Sequence, residues 1–133
     1  MADVAFIASG RTIEEMFASA AEALTSTMIK DPRKLEAVEV KTFTMDARDE
    51  EFLLHDFLEH LVFLKDAELL LFGKYELKIG KGGKGLVLSG TLRGEHLDQK
   101  KHELLVDAKA ISWHMLKVEK NKAGYKAFFI VDV

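Results

Sequence analysis

Three charged residues stand inside stretches that are otherwise apolar and strand-like. Lys109 lies in Val-Asp-Ala-Lys-Ala-Ile-Ser-Trp-His, Asp132 follows Phe-Phe-Ile-Val, and Asp3 precedes Val-Ala-Phe-Ile-Ala. A lysine in such a strand usually extends from its edge into solvent, and less often is a placed charge that meets an acidic partner or a phosphate. Asp132 is either simply exposed near the chain end or meets Asp3, which requires the two strands to lie side by side. Periodicity cannot show that pairing.

A glycine-rich segment matches the kinase-type pattern G-x-G-x-x-G-x-V between two strand-like stretches. It spans 80–87 and contains Lys81 and Lys84, which could meet a phosphate. A chain of 133 residues is too short for a kinase, and no His-Arg-Asp or Asp-Phe-Gly sequence follows. A strand pattern comes next, whereas the dinucleotide-binding motif requires a helix. We interpret the segment as a flexible hairpin turn, and an enzyme or nucleotide binder is the competing hypothesis.

The histidines do not form a metal-ligand pattern. His55 and His60 are five residues apart on a predicted helix, so their side chains point about 140° apart. His102 begins an H-E-x-x-H sequence, but Val106 stands where the second histidine is required. Simple solvation is predicted for four histidines: His55, His60, His96 and His102. No serine lies in a G-x-S-x-G motif, and nothing singles out a pair of carboxylates for acid–base catalysis.

The composition is that of one globular domain, residues 1–133. The chain has 48% hydrophobic and 31% charged residues and a formal net charge of −3, unlike disordered or strongly basic, phosphate-binding proteins. It has no cysteine, which excludes disulfides, thiolate zinc sites and a cysteine nucleophile and fits a reducing compartment. No apolar run reaches the ~18–20 residues that span a bilayer. We expect a cytoplasmic protein with no membrane partner and no strong direct binding to nucleic acid.

Two helices are predicted from apolar residues that recur at helical spacing. The first covers about 12–29, begins with the capping-box pattern Thr-Ile-Glu-Glu and ends before a proline. The second covers about 48–66 and is capped by Asp46 or Asp49. Its apolar positions cover roughly half of its circumference, which predicts contact with more than one layer.

The remaining segments are predicted to form mostly antiparallel strands. These strands are 3–8, 36–46, 75–79, 86–92, 104–119 and 125–132, with turns at 80–85 and 121–124 and a polar loop at 94–103. The apolar parity changes within 36–46, which predicts a bulge or a change of partner sheet. The pattern predicts an α+β fold, with two helices packed among mostly antiparallel β-sheets in a single domain.

The order of several motifs along the chain resembles the archease family. Gly-Arg-Thr-Ile-Glu-Glu-Met-Phe at 10–17 resembles that family's first helix, and 49–72 resembles its second. The more specific pieces are Gly94-Glu95, the segment 109–114 (Lys-Ala-Ile-Ser-Trp-His) and the terminal Ile-Val-Asp-Val. The resemblance covers almost the whole chain.

This resemblance implies a function. Archeases are accessory proteins of RtcB-type RNA ligases, which join tRNA halves after intron removal. They promote the metal-dependent guanylylation and the multiple turnover of the ligase, and they are not themselves ligases. For this chain we expect Lys109, Glu95 and His114 to contact the partner or to take part in activation. The alternative that the family carries is a chaperone or specificity modulator of a tRNA methyltransferase or other client.

The resemblance also implies a divalent metal site made by an N-terminal aspartate and the end of the chain, here Asp3, Asp132 and Val133. Two carboxylates with a carbonyl or terminal carboxylate are hard oxygen ligands, which favour calcium, or magnesium, over zinc. The family has a further stretch before Asp3 that ends in His-Thr-Ala-Asp, and here Met1 replaces the threonine. We expect either a late start of this chain or the loss of an N-terminal piece, and a missing strand segment would expose a sheet edge and weaken the metal site.

Overall fold

A computed structural model describes residues 3–83 and 85–133. Met1 and Ala2 at the start, and Lys84 of the glycine-rich turn, lie outside the described residues. The described elements, in chain order, are β1 Val4–Gly10, α1 Ile13–Met28, a 3-10 helix Pro32–Lys34, β2 Glu39–Ala47, α2 Glu50–Glu68, β3 Leu70–Gly82, β4 Gly85–His96, β5 Ala110–Ile111, β6 Lys117–Asn121 and β7 Gly124–Asp132.

The strands form two antiparallel sheets that enclose the helices. In the terminal sheet, β7 pairs with β1 on one edge and with β5 and β6 on the other. In the hairpin sheet, β4 lies between β2 and β3. Both helices contact both sheets. The predicted α+β architecture is therefore confirmed, with the helices as a middle layer.

Aromatic side chains fill the space between the layers. Phe17 of α1 stacks on Phe57 of α2 with ring centroids 5.7 Å apart, and Phe57 stacks on Phe43 of the hairpin sheet at 5.8 Å. Phe6 and Phe129 pack across the terminal sheet at 5.5 Å. Because α2 carries buried residues around much of its surface, it packs against both sheets, as its wide apolar arc predicted.

The helix starts follow local sequence signals. The Thr12 hydroxyl accepts a hydrogen bond from the Glu15 amide at 3.1 Å, as the capping-box pattern predicted. The Glu15 carboxylate reaches one residue further than expected and accepts from the Arg11 amide at 2.8 Å. Asp49 caps α2 by accepting from the Phe52 amide at 2.9 Å.

The bulge predicted within 36–46 was wrong, because β2 pairs with β4 in one unbroken register. Its change of apolar parity has another cause: Val40 faces outward and is 48% exposed. Lys41 takes an inward position at the margin, where its ammonium pairs with Glu68 at the end of α2 at 2.6 Å. The irregularity lies in β3 instead, next to Gly73.

The long strand predicted for 104–119 was also wrong. Only β5 and β6 are strands there. The Leu105 and Val106 amides donate to the carbonyl oxygens of Met28 and Thr27, at 2.8 and 3.0 Å. The first part of the segment therefore satisfies the free carbonyl groups at the end of α1 rather than a neighbouring strand.

Candidate functional site

The pairing of β1 with β7 brings two candidate carboxylates to one end of the terminal sheet. Val4 pairs with Val131, and Asp3 and Asp132 occupy the next position of the same register. Directly opposed residues in such a pair have Cβ atoms about 4.5–5.5 Å apart. Val131 is fully buried, so strand alternation directs Asp132 to the outer face of the sheet, and the same alternation directs Asp3 there.

Strand β5 adds a lysine to the same end. Ala110 pairs with Asp132, and the Lys109 amide donates to the Asp132 carbonyl oxygen at 2.8 Å. The Lys109 side chain is exposed, and Val133 is half-buried. The structure thus gathers four residues singled out in the sequence at one end of one sheet: Asp3, Lys109, Asp132 and Val133.

The chemistry of this end suits a hard divalent cation. Asp3 and Asp132 offer carboxylate oxygens, and the main chain of Val133 offers a further oxygen, which is the donor set that calcium and magnesium prefer. Two neighbouring carboxylates repel each other, and a cation between them would remove that repulsion. Within 3–83 and 85–133 no group of three acidic or histidine side chains could hold a metal. A cation here would therefore depend on main-chain oxygens or water.

A buried lysine lies just beyond this end. The Lys65 side chain is 7% exposed and donates to the Asp107 carboxylate at 2.5 Å and to the Ala108 carbonyl at 2.8 Å. It also pairs with Asp66. Burial alone would lower the pKa of Lys65, but the hydrogen bonds to Asp107 and Asp66 outweigh it and raise the pKa. No pattern in the sequence predicted this cluster, although Lys65 stands four residues after Leu61 on the apolar arc of α2.

A second cluster joins α2 to the loop after β5. The His55 ring stacks on Trp113 with centroids 3.7 Å apart, and its Nε2 donates to the Ile111 carbonyl at 2.9 Å. Phe52 packs on the same indole at 4.8 Å, and the Arg48 guanidinium lies 4.0 Å from the Phe52 ring centre. His55 is buried, so the prediction that it is solvated was wrong. The apolar neighbours that bury it come from a distant part of the chain.

Glu95 lies in β4 of the other sheet, where its carboxylate holds the loop that follows the strand. Its buried carboxylate accepts from Lys101 at 2.7 Å and from the Glu36 amide at 2.6 Å. Burial alone would raise the pKa of Glu95, but these hydrogen bonds outweigh it and hold the pKa below its ordinary value. His102 lies 3.5 Å from the same carboxylate and its side chain is buried, so its predicted solvation was wrong. Its Nδ1 accepts from the Asp98 amide at 2.9 Å, within the chain turn that covers it.

A family model described as the archease protein family (MTH1598/TM1083) matches residues 1–133. The chain belongs to the archease family. The archease of Methanothermobacter thermautotrophicus is 36% identical over 132 residues, which cover 99% of this chain and 93% of that protein. The archease of Pyrococcus abyssi is 39% identical over 133 residues, with the same coverage.

Solved archease-family structures have the same fold. The solution structure of protein 1598 from Methanobacterium thermoautotrophicum superposes with a TM-score of 0.86 at 35% identity, over 100% of this chain and 94% of that one. A crystal structure from Thermotoga maritima, described as an archease and possible chaperone, gives a TM-score of 0.66 at 21% identity over 98% and 90%. At that lower identity the likeness concerns the fold alone. No helix in the described part of the chain is long and apolar enough to cross a bilayer.

The archease-like motif residues lie in three places. Lys109 and Asp132 lie at the end of the terminal sheet, whereas Glu95 lies in β4 of the hairpin sheet and bonds to Lys101 and to the Glu36 amide. His114 is exposed in the loop after β5, where its amide donates to the Ser112 hydroxyl at 3.0 Å. The α2 carboxylates Glu59 and Glu51 hold the two sides of that loop, by accepting from main-chain amides of Ile111 and Val118 at 2.6 and 2.8 Å.

Proposed function

We propose that this archease-family protein activates an RtcB-type RNA ligase in tRNA splicing, promoting its metal-dependent guanylylation and multiple turnover without being a ligase itself. One observation carries the proposal. In the β1–β7 register the position after the Val4–Val131 pair belongs to Asp3 and Asp132, and the Lys109 amide bonds to the Asp132 carbonyl at the same end. Two acids and one lysine at a sheet end, with Asp3 and Lys109 exposed and Asp132 half-buried, are suited to a cation and an anionic or acidic partner group.

The residues take distinct parts in this proposal. Asp3, Asp132 and the main chain of Val133 hold a divalent cation, with calcium favoured and magnesium as the alternative. When bound, the cation supplies positive charge that offsets the two carboxylates. The Lys109 ammonium orients a guanylate phosphate or pairs with an acidic group of the ligase. His114 contacts the partner from the neighbouring loop, and Glu95 acts through the loop that it holds.

A multiple-turnover ligation assay with purified RtcB-type ligase, tRNA halves and GTP tests the proposal. The protein should raise the number of turnovers per ligase, and Asp132→Asn should remove most of that effect. Glu76→Gln is the matched control, because Glu76 is an exposed acid on the hairpin sheet. Equal ligase turnover with and without the wild-type protein would contradict the proposal.

A chaperone or specificity modulator of a tRNA methyltransferase or other client is the second candidate function. An exposed apolar run, Leu104 to Val106, favours it, because exposed apolar residues in series can hold unfolded clients. The test is the aggregation and the methylation specificity of a methyltransferase at rising temperature. Suppression by the wild-type protein that Leu105→Asp abolishes would support this candidate, with the exposed Val40→Asp as control.

A further inference from the structure

The outer face of the terminal sheet carries an apolar stripe that continues from the carboxylate end. Buried Ala127, Phe129 and Val131 face the helices, so alternation turns the residues between them outward. The stripe consists of two cross-strand pairs, Ala5 with Ile130 and Ile7 with Phe128. Ile7 is 64% exposed. We call these four residues the outer stripe.

No element in the described part of the chain covers the outer stripe. The helices α1 and α2 contact the terminal sheet, and the buried residues of that sheet lie on their side. A hollow of about 210 Å³ opens over the stripe, lined by Ile7, Phe128, Lys117, Glu119 and Lys126. Glu119 pairs with Lys117 at 3.0 Å, so the two lysines outnumber the one acid. The hollow therefore suits an apolar side chain with acidic neighbours.

The size of the face argues against a second copy of this chain as its occupant. β1 has seven residues, so three strands present a face of about 24 Å by 14 Å, on the order of 330 Å². A stable interface buries about 800 Å² on each partner. The outer stripe is too small to hold a homodimer alone, but it suits one part of a larger contact that also reaches Asp3 and Asp132.

We propose that the outer stripe docks the RNA ligase, through a ligase segment that places an apolar side chain in the hollow and acidic groups near Lys117 and Lys126. This inference rests on the proposed function and adds to it the surface that sets affinity. Because Asp3 and Asp132 project from the same face, a partner lying along the stripe also meets the carboxylate end. The stripe determines how tightly the ligase is held, and the carboxylate end determines what activation follows.

The test is a titration of the protein into the multiple-turnover ligation assay. Ile7→Asp should raise the half-activating concentration by about tenfold or more and leave the maximal activation unchanged. Lys126→Glu should raise the half-activating concentration severalfold, and more at low salt than at high salt. The matched controls on the hairpin sheet are Val40→Asp and Lys78→Glu, which should titrate like wild type. Ile7→Ser provides a milder variant in case the aspartate impairs folding.

The outcomes separate the two proposals. If wild type activates the ligase but Ile7→Asp and Ile7→Ser, both folded, titrate like wild type, the docking surface is wrong and the proposed function stands. If wild type does not activate, the proposed function is wrong and the docking proposal falls with it. A homodimer seen by sedimentation velocity that Ile7→Asp dissociates would assign the stripe to a second copy and overturn the proposal.

Discussion

Two lysines adjoin the segment 107–108, and their ammonium groups lie in opposite environments. Lys65 of α2 bonds to this segment, and Lys109 follows it in the sequence. Lys65 is buried, and its ammonium is held by the Asp107 carboxylate and the Ala108 carbonyl. Lys109 is exposed, and its amide holds the Asp132 carbonyl. One lysine joins α2 to this segment from inside, and the other lies in an exposed position at the end of the terminal sheet.

The two regions differ in whether the fold supplies a partner of opposite charge to each charged group. At Lys65, opposite charges meet and a buried carbonyl receives a donor, so the cluster stabilises the protein by itself. At the sheet end, two like charges occupy neighbouring positions, which is unfavourable without a cation or a partner. We therefore expect substitutions at Lys65 to change stability and substitutions around Lys109 to change activation.

Lys109→Ala should give the largest effect on activity. We expect ligase activation to fall by about tenfold or more, because a hydrogen bond to a charged group contributes roughly 1.5–3 kcal/mol. The melting temperature should stay within a few degrees, since the side chain is exposed. Lys78→Ala is the matched control, and Lys109→Arg tests whether charge alone suffices. Wild-type activation by a stable Lys109→Ala protein would remove this lysine from the mechanism.

Calcium should stabilise the sheet end by an amount comparable to one large core contact. At a calcium concentration of ~100 times the dissociation constant, the free energy of unfolding should rise by ~2.7 kcal/mol. Differential scanning fluorimetry with calcium, magnesium and chelator measures the shift. Asp132→Asn should lose most of it, whereas Lys65→Met should keep it. A melting temperature that neither calcium nor magnesium changes would show that this chain has no such site.

Sequence signals predicted the parts of the fold whose causes are local. Both helices, the Asp49 cap and the β3–β4 hairpin depend on residues a few positions apart, and the structure confirms them. The segment 104–119 looks equally apolar, but its Leu105 and Val106 amides bond to carbonyl groups of α1, about 80 residues earlier in the chain. No local pattern contains that partner, so a strand was the natural but wrong expectation.

The sequence predicted which residues belong to the candidate site, but not that they lie close together. Asp3, Lys109 and Asp132 stand out because charge interrupts an apolar run, yet only the β1–β7 register shows which of them are neighbours. Lys65 and His55 were missed for the opposite reason. Polar residues on a helix are normally exposed, and the partners that bury these two come from the segment 107–113.

Lys65→Met should lower the free energy of unfolding by about 1–3 kcal/mol. The substitution keeps the apolar stem but leaves the Ala108 carbonyl without its donor. Asp66 and Asp107 are more than half exposed and remain hydrated, which limits the loss. Urea denaturation measures it, with Lys78→Met as a control expected to change stability by less than about 0.5 kcal/mol. The folded variant should activate the ligase as wild type does. A loss of activation without a loss of stability would contradict the assignment of Lys65 to stability and Lys109 to activation.

The smallest expected effect is the alkaline pH dependence of the difference in the free energy of unfolding between wild type and Lys65→Met. The pKa of Lys65 is raised above its ordinary value of 10.5 in the folded protein, so the folded state holds this proton more tightly than the unfolded state. The stabilisation is therefore complete below pH 10.5 and is lost as the pH rises through the raised pKa. Burial also raises the pKa of Tyr75 to about 12, which lowers stability in the same interval, but Tyr75 is common to both proteins and cancels in their difference. Urea denaturation between pH 7 and pH 12 should show the gap in the free energy of unfolding between wild type and Lys65→Met narrowing only above about pH 10.5. A gap that instead widens between pH 7 and pH 10.5 would mean that burial lowers the pKa of Lys65, and that its carboxylate partners do not compensate the burial of its charge.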